Sequence, residues 1–365
     1  MGIKNLTKLI KTYAPNAIRQ VDISTYAGQR VAIDANLFVY KFLHGADAHP
    51  SRALYGFLEL ARWFKKFDIQ VLFVFDGRKL EAKRTEIQRR WIKRKRLMHR
   101  VQECRQQLEE LEERHERKAA EAPERPEEQE TQEPDQEPER AEPPERAEPE
   151  AAPRESWRDR EREPPRSAQR VRLELANLEQ QIVHVSPQQI ADCQRLLRLA
   201  GIPVLIAEHE AEASCATLNR LGHVAAVVTE DTDSLCFGCA VMLRDCRPQK
   251  RLLTEIRLSV LLQELRLSMA QFVDLCILCG CDFASALRSL SYLDALPAMQ
   301  QRGSLEAILE TLPHPDNFTY QAARDIFLHP PVISAQQLDR LWTTDEADPK
   351  ALDDFLRRRV GWRRR

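Results

Sequence analysis

The stretch AAVVTEDTD, residues 225–233, passes from small and β-branched apolar residues straight into acids. The same change occurs in three other places. RVAID (30–34) ends on Asp34, VLFVFDG (71–77) reaches Asp76, and IPVLIAEHEAEA (202–213) runs into Glu210 and Glu212. Short apolar runs of this kind read as strands, and the segments between them carry helical apolar spacing. Strands alternating with helices give an α/β fold on a parallel sheet, where ligand sites lie outside the carboxyl ends of the strands. Asp34, Asp76, Glu210, Glu212, Asp231 and Asp233 should therefore gather in one pocket. Asp282, which follows the apolar run QFVDLCILCG, is a further candidate. So many carboxylates cannot stay ionised together, because packed like charges raise each other's pKa. Bound Mg²⁺ is the simplest resolution, with Mn²⁺ as an alternative, since oxygen ligands suit hard cations. A helix N-cap is the plainer reading of any one of these acids, but caps explain the whole set poorly.

Along the chain, the spacing predicts a helix, a turn, a strand over Arg30–Ile33 and a helix from Asn36. A helix over 54–67 leads into a strand over Val71–Phe75. A long charged helix or helix pair runs from Lys79 to about Lys118, with no Pro or Gly inside. Order resumes near Val171. A helix over Pro187–Ala200, a strand over Pro203–Ile206, a helix over Glu210–Leu221 and a strand over Ala225–Val228 follow. From about Leu258 the pattern is helical. This gives four regions: 1–118, 119–168, 169–257 and 258–365.

Residues 119–168 differ from the rest. They hold 10 Pro and 15 Glu, with no Val, Ile, Leu, Phe or Met, too little apolar surface to offset the entropy of ordering, and so read as disordered. With 8 Arg against 17 Asp and Glu the segment carries −9, while the whole chain carries −1. The remainder is therefore +8. Residues 78–100 alone hold 11 Lys and Arg against 2 Glu, and RRRVGWRRR ends the chain. Basic clusters beside an acidic metal pocket point to nucleic acid and phosphodiester chemistry. The acidic segment is expected to screen the basic helix against non-specific DNA.

Nine Cys are scattered with no framework, as free thiols of a reducing compartment are. Cys236/Cys239 and Cys276/Cys279 are C-x-x-C pairs, so zinc is weighed. The second pair sits in a run that reads as a buried helix, with Cys as small apolar residues. The first residues lack the Ser or Thr of a myristoylation signal, no signal peptide is expected, and no stretch has the apolar length of a membrane span.

These motifs together resemble the flap endonuclease family, the eukaryotic-type structure-specific 5′ nucleases. MGIKNLTKLI is similar to that family's start, and VAIDANLFVYKFL (31–43) and VLFVFDGRK to its acidic motifs. EAEASCA (210–216) and the TED-x-D frame (229–233) match letter for letter, and QFVDLCILCGCDF (271–283) resembles a third acidic motif. The match covers almost all of the chain outside 119–168. The resemblance implies a parallel-sheet PIN-like nuclease core with a helical arch and a C-terminal α-helical region. It implies that the seven acids are metal-site residues for two Mg²⁺ ions, and that Lys83 and Arg90 are active-site cations on the arch. A spacing of seven is two helical turns, so both face one way. Tyr40 then matches an aromatic that stacks on a base beside the cut, and Gly2 a residue whose backbone lies near the substrate. The implied activity is hydrolysis of branched DNA, chiefly 5′ flaps, in replication or repair. A metal-activated water would attack the phosphodiester held by Lys83 and Arg90. The expected enzyme is a monomer with no membrane partner, acting in the nucleus or at a viral replication site.

The chain also departs from the family. The acidic segment interrupts the arch, as a long spacer does in the excision-repair branch. The segment between Leu43 and Leu54 is short where the family has a substrate-bending wedge. SLSYLDA (289–295) lacks the glycines of the family's turn that holds K⁺ and a DNA phosphate, so the grip on duplex should be weaker or made differently. LDDFL (352–356) resembles a sliding-clamp peptide, but Pro349 stands where its Gln belongs, so a last amphipathic core helix is the favoured reading. Two rivals stay open: an RNA-cleaving nuclease on the same core, and a non-catalytic scaffold for branched DNA. The full set of acids argues against the scaffold.

Overall fold

The computed structural model describes residues 2–43, 51–120, 167–182, 185–287, 289–312, 318–330, 333–343 and 347–360. Residues 44–50 of the short segment between Leu43 and Leu54, and nearly all of the acidic segment, lie outside the described residues. The chain falls into two compact units. One combines Met1–Lys95 with Ile182–Arg365, and the other is Arg96–Gln181.

The first unit holds a seven-stranded sheet made of β1 (Ile18–Asp22), β2 (Arg30–Asp34), β3 (Gln70–Phe75), β4 (Val204–Ile206), β5 (Ala226–Val228), β6 (Val241–Arg244) and β7 (Leu252–Arg257). The order is β1-β7-β6-β5-β2-β3-β4. The expected parallel arrangement holds from β6 to β4. It fails at the other edge, where β7 and then β1 add antiparallel. The residues joining β6 to β7 are too few for a crossover helix, so the chain turns back as a hairpin. In β1, IRQVD has too little apolar character to signal a strand, and the burial is correspondingly partial.

Alternate strand residues face opposite ways, and each face of the sheet has its own core. Ala32, Leu72, Val74, Val227, Met242 and Ile256 pack on one side. There they meet α1 (Leu6–Tyr13), and further along the chain the helices that follow β4 and β7. Val31, Ile33, Val71, Phe73, Phe75, Val228 and Leu253 pack on the other, against α2 (Ala35–Leu43) and α3 (Ser51–Lys66). Phe57 of α3 meets Phe73 edge-on, with ring centroids 5.4 Å apart.

After β3 a short 3₁₀ turn leads into α4 (Arg84–Ala120), within the span expected from Lys79 onward. In the second unit the distal part of α4 and α5 (Ala168–Gln181) are joined by Arg100–Glu174, Arg105–Glu179 and Arg172–Glu112 ion pairs at 2.7, 2.6 and 2.6 Å. In the first unit follow α6 (Pro187–Leu199), α7 (Ala211–Arg220), α8 (Asp233–Cys236), α9 (Leu258–Leu265) and α10 (Met269–Cys279). Then come α11 (Tyr292–Arg302), α12 (Leu305–Leu309), α13 (Gln321–Leu328), α14 (Ala335–Arg340) and α15 (Pro349–Val360). Among the described residues, no helix is long and apolar enough to cross a membrane. Helix α10 is buried almost all round, as its largely apolar sequence requires, and its one buried acid, Asp274, pairs with Arg324 at 2.7 Å. Ser268 caps it in a reciprocal box with Gln271. In α15, Phe355 and Leu356 are buried in the core beside α6, so LDDFL is part of the packed structure. Arg195 of α6 lies over the Phe355 ring, and Arg359 pairs with Asp192 at 3.2 Å.

Candidate metal centre

The parallel strands β5, β2, β3 and β4 are neighbours and point the same way, so their carboxyl ends share one edge. Asp34 is the last residue of β2, and Asp76 follows β3 directly. Glu210 precedes α7 and Glu212 lies in its first turn. Asp231 follows β5, Asp233 opens α8, and Asp282 lies just past α10. Two backbone bonds, Gly77 N–H to His209 carbonyl at 2.7 Å and Arg78 N–H to Glu208 carbonyl at 2.8 Å, draw the β3 end to the approach of α7. A Cβ at residue 77 would collide with the carbonyls of Ala207 and Glu208, so this approach requires glycine. As a result Asp76, Glu210 and Glu212 present carboxylate oxygens within 4.8 Å of one another.

The other acids adjoin this trio. Repulsion from Asp76 and Asp231 reaches Asp34, while Asp231, Asp34 and Glu210 act on Glu212. Asp231, Asp282 and Glu210 act on Asp233. The structure thus brings all seven predicted acids into one electrostatic cluster. All but Asp76 and Asp282 are buried, and Asp233 is wholly so.

Capping accounts for only part of this. Asp34 accepts weakly from Leu37 N–H at 3.4 Å, Asp76 accepts from Ala211 N–H at 2.9 Å, and Asp231 accepts from Asp233 N–H at 3.1 Å. Glu210 makes no side-chain cap. Both carboxylate oxygens of Asp233 are buried with no hydrogen-bond partner. A buried carboxylate in that state is costly unless something positive meets it.

Burial pushes Asp34 up to about 7, with repulsion from Asp76 and Asp231 adding. It pushes Glu212 and Asp233 well above the carboxylate range, and raises Glu210 and Asp231 as well. Lys83 opposes this. Its ammonium bonds to Glu210 and lies 3.4 Å from Glu212 and 3.5 Å from Asp282. Burial draws the Lys83 pKa down, but Glu212, Glu210 and Asp282 outweigh it and hold the ammonium above the ordinary lysine value. Arg90 reaches Asp282 at 2.7 Å and Glu86 at 3.1 Å. Among the described residues, Lys83 and Arg90 are too few to balance seven acids in the ionised form. The donors are all oxygen, which fits hard divalent cations.

Gly2, in the left-handed region at φ +86°, lies against the 231–233 turn. A Cβ there would strike Asp231 Oδ1 and come within 2.6 Å of Thr232 Oγ1. Tyr40 is 48% exposed on α2.

Sequence reasoning missed several supporting side chains. Thr229 donates to Asp34 at 3.0 Å and accepts from Asp231 N–H at 3.0 Å. Thr232 accepts from Ile3 N–H at 3.0 Å. Asn36 donates to Asp76, and the Phe283 ring lies 5.1 Å below the Lys83 ammonium. Thr229, Thr232, Asn36 and Phe283 all sit inside motifs already quoted, beside the acids they serve. All nine Cys are buried free thiols, and among the described residues the metal-competent grouping, Asp76, Glu210 and Glu212, contains no Cys.

Residues 1–97 match the XPG N-terminal domain and residues 201–282 the XPG I-region. Flap endonuclease 1 of Glycine max is 32% identical over 390 aligned residues, covering 100% of this chain and 84% of that protein. The catalytic core of Rad2, solved in complex with DNA substrate, superposes with a TM-score of 0.64 at 18% identity, covering 99% of this chain and 96% of that one. Flap endonuclease-1 from Methanococcus jannaschii superposes with a TM-score of 0.59 at 19% identity, covering 96% and 91%. At those identities the two solved structures speak for the fold.

Proposed function

This chain belongs to the flap endonuclease family, and from that premise we propose that it is a divalent-metal-dependent, structure-specific 5′ nuclease cutting branched DNA at 5′ flaps. The observation that carries the reading is Asp233, whose two oxygens are buried and unpartnered among other carboxylates at the strand ends. Such a carboxylate is explained by a cation. In this reading Asp34, Asp76, Glu210, Glu212, Asp231, Asp233 and Asp282 hold two Mg²⁺ ions, or Mn²⁺ in their place. When bound, a metal pair supplies a water of lowered pKa and positive charge for the attacking and leaving oxygens.

The remaining work falls to the chain itself. Lys83, kept protonated by the acids around it, and Arg90 hold the scissile phosphate and neutralise charge that grows in the transition state. Thr229 and Asn36 orient Asp34 and Asp76. The exposed ring of Tyr40 takes a base beside the cut, and Gly2 keeps the turn bearing Asp231 open to the backbone near the substrate. Residues 1–118 and 169–257 form the nuclease region, and 258–365 hold the duplex. With no glycine turn at 289–295, that hold uses other groups. The enzyme works as a monomer in replication or repair, in the nucleus or at a viral replication site.

The test is Asp233→Asn. It should abolish Mg²⁺-dependent cleavage of a 5′-flap duplex while leaving flap binding within a few-fold of the parent. Cleavage near the parent rate would refute the metal assignment. Flap, pseudo-Y, gapped and single-stranded DNA run beside capped single-stranded RNA decide the substrate class.

A further inference from the structure

Helix α4 carries an apolar feature that the metal centre does not use. Trp91 is 61% exposed and Ile87, four residues earlier, is 38% exposed. On a helix these positions share a face, and Lys95 falls on the same line. The Lys95 ammonium lies 5.4 Å from the centre of the Trp91 ring. Around them are Arg89, Arg90, Lys93 and Arg94, within the stretch 78–100 that holds 11 Lys and Arg against 2 Glu. An indole left largely in water, on one of the most cationic helices of the chain, calls for a ligand that is both anionic and aromatic.

We infer that Trp91 is a stacking platform for an unpaired base of the single-stranded 5′ arm of the substrate. Trp91 follows Arg90 by one residue, about 100° around the helix. Arg90 touches Asp282 of the acid cluster at 2.7 Å. A strand with a phosphate beside Arg90 therefore has its nearest bases within reach of the indole. Lys93 and Lys95 then meet the neighbouring phosphates, and Lys95 also polarises the ring it covers. Bases inside a duplex have their faces hidden by stacking on their neighbours, so an exposed indole selects the unpaired strand. The platform has no sequence preference, because every base has a π-face. The inference rests on the proposed nuclease reading for which strand passes Arg90, but the binding it predicts needs no cleavage.

The experiment measures binding of full-length protein in Ca²⁺ by anisotropy. The ligands are a 5′-flap duplex, the same duplex without the flap, and the same flap with abasic residues. Trp91→Ala should weaken flap binding by roughly 5- to 100-fold and leave the flapless duplex unchanged. Trp91→Phe should keep most of the affinity. The abasic flap should bind the parent as poorly as the intact flap binds Trp91→Ala, and combining the two changes should add nothing. A substitution at so exposed a position leaves the melting temperature in place, so a lost fold is not mistaken for lost stacking. No loss on the flap, or equal losses on flapless and abasic ligands, overturns the inference and points instead to a protein partner or to plain charge. Cleavage of the flap in Mg²⁺ by the parent, run alongside, keeps the two ideas apart. A parent that stacks but never cuts would defeat the nuclease reading and leave this one standing.

Discussion

Replacing Asp34 with Asn should stabilise the metal-free protein while removing its activity. Asp34 is 4% exposed, and burial with repulsion from Asp76 and Asp231 pushes its carboxyl from 3.8 up to about 7. At about 1.4 kcal/mol per pKa unit, ionising it in the fold costs roughly 4 kcal/mol. Asp76 and Asp231 still repel other acids after the change, and Asn keeps an acceptor for Thr229, so a gain of about 2–4 kcal/mol is the reasonable range. Near pH 3 and below, folded and unfolded chains both largely hold the proton and the variant gains almost nothing. Between about pH 4 and 7 the unfolded chain releases a proton that the fold retains, so parental stability falls as pH rises. Above about 7 the loss is complete. Calorimetry in EDTA should therefore show parent and Asp34→Asn melting together near pH 3 and separating by roughly 3–5 °C at pH 8. Mg²⁺ should then raise the parent more than the variant, since binding the folded state alone stabilises it by mass action. A parent more stable than the variant in EDTA at pH 8, or a gap independent of pH, would refute the reasoning.

Two further substitutions probe the same centre. Lys83→Met should lower single-turnover flap cleavage by roughly 10²–10³-fold with a much smaller change in flap affinity, since an oriented donor acts mainly on the transition state. It should also lower the metal-free melting temperature, because Glu210, Glu212 and Asp282 lose their shared counter-charge. Gly2→Ala should raise the Mg²⁺ concentration needed for half-maximal cleavage, because the new methyl displaces Asp231 or Thr232. Titration of cleavage rate against Mg²⁺ reads this directly, and an unchanged midpoint would show that the turn gives way freely.

The acids were legible because strand chemistry and charge chemistry meet at a sharp boundary. VLFVF cannot be water-exposed, and the Asp after it cannot be core, so position along the strand fixed the edge each carboxylate would occupy. The burial of α10, though not its start at the Ser268 cap, which emerged only in the structure, was legible for a similar reason, since apolar residues fill most of its sequence. The antiparallel edge was not. The polar strand β1 gains its place from pairing with Leu252–Arg257, a contact more than 200 residues away that no local pattern encodes. The partners Thr229, Thr232 and Asn36 stood in plain view, but which oxygen each one serves depends on the relative heights of neighbouring strand ends. Lys83 was expected to face phosphate. Its position among three carboxylates is a property of the folded charge balance, which spacing alone does not reveal.

The docking of α15 on α6 has a consequence for any protein that would read LDDFL as a linear peptide. Phe355 and Leu356 are the residues such a reader needs, and both are already committed to the interior. Extracting two large apolar side chains into water costs about 3–6 kcal/mol, and every 1.4 kcal/mol is about a factor of ten in affinity. A docked tail is thus recognised roughly 10²–10⁴ times more weakly than the same residues on a free peptide. Shortening the chain before Pro349 would not simply delete a terminal peptide, because it would uncover the apolar α6 side of the sheet core.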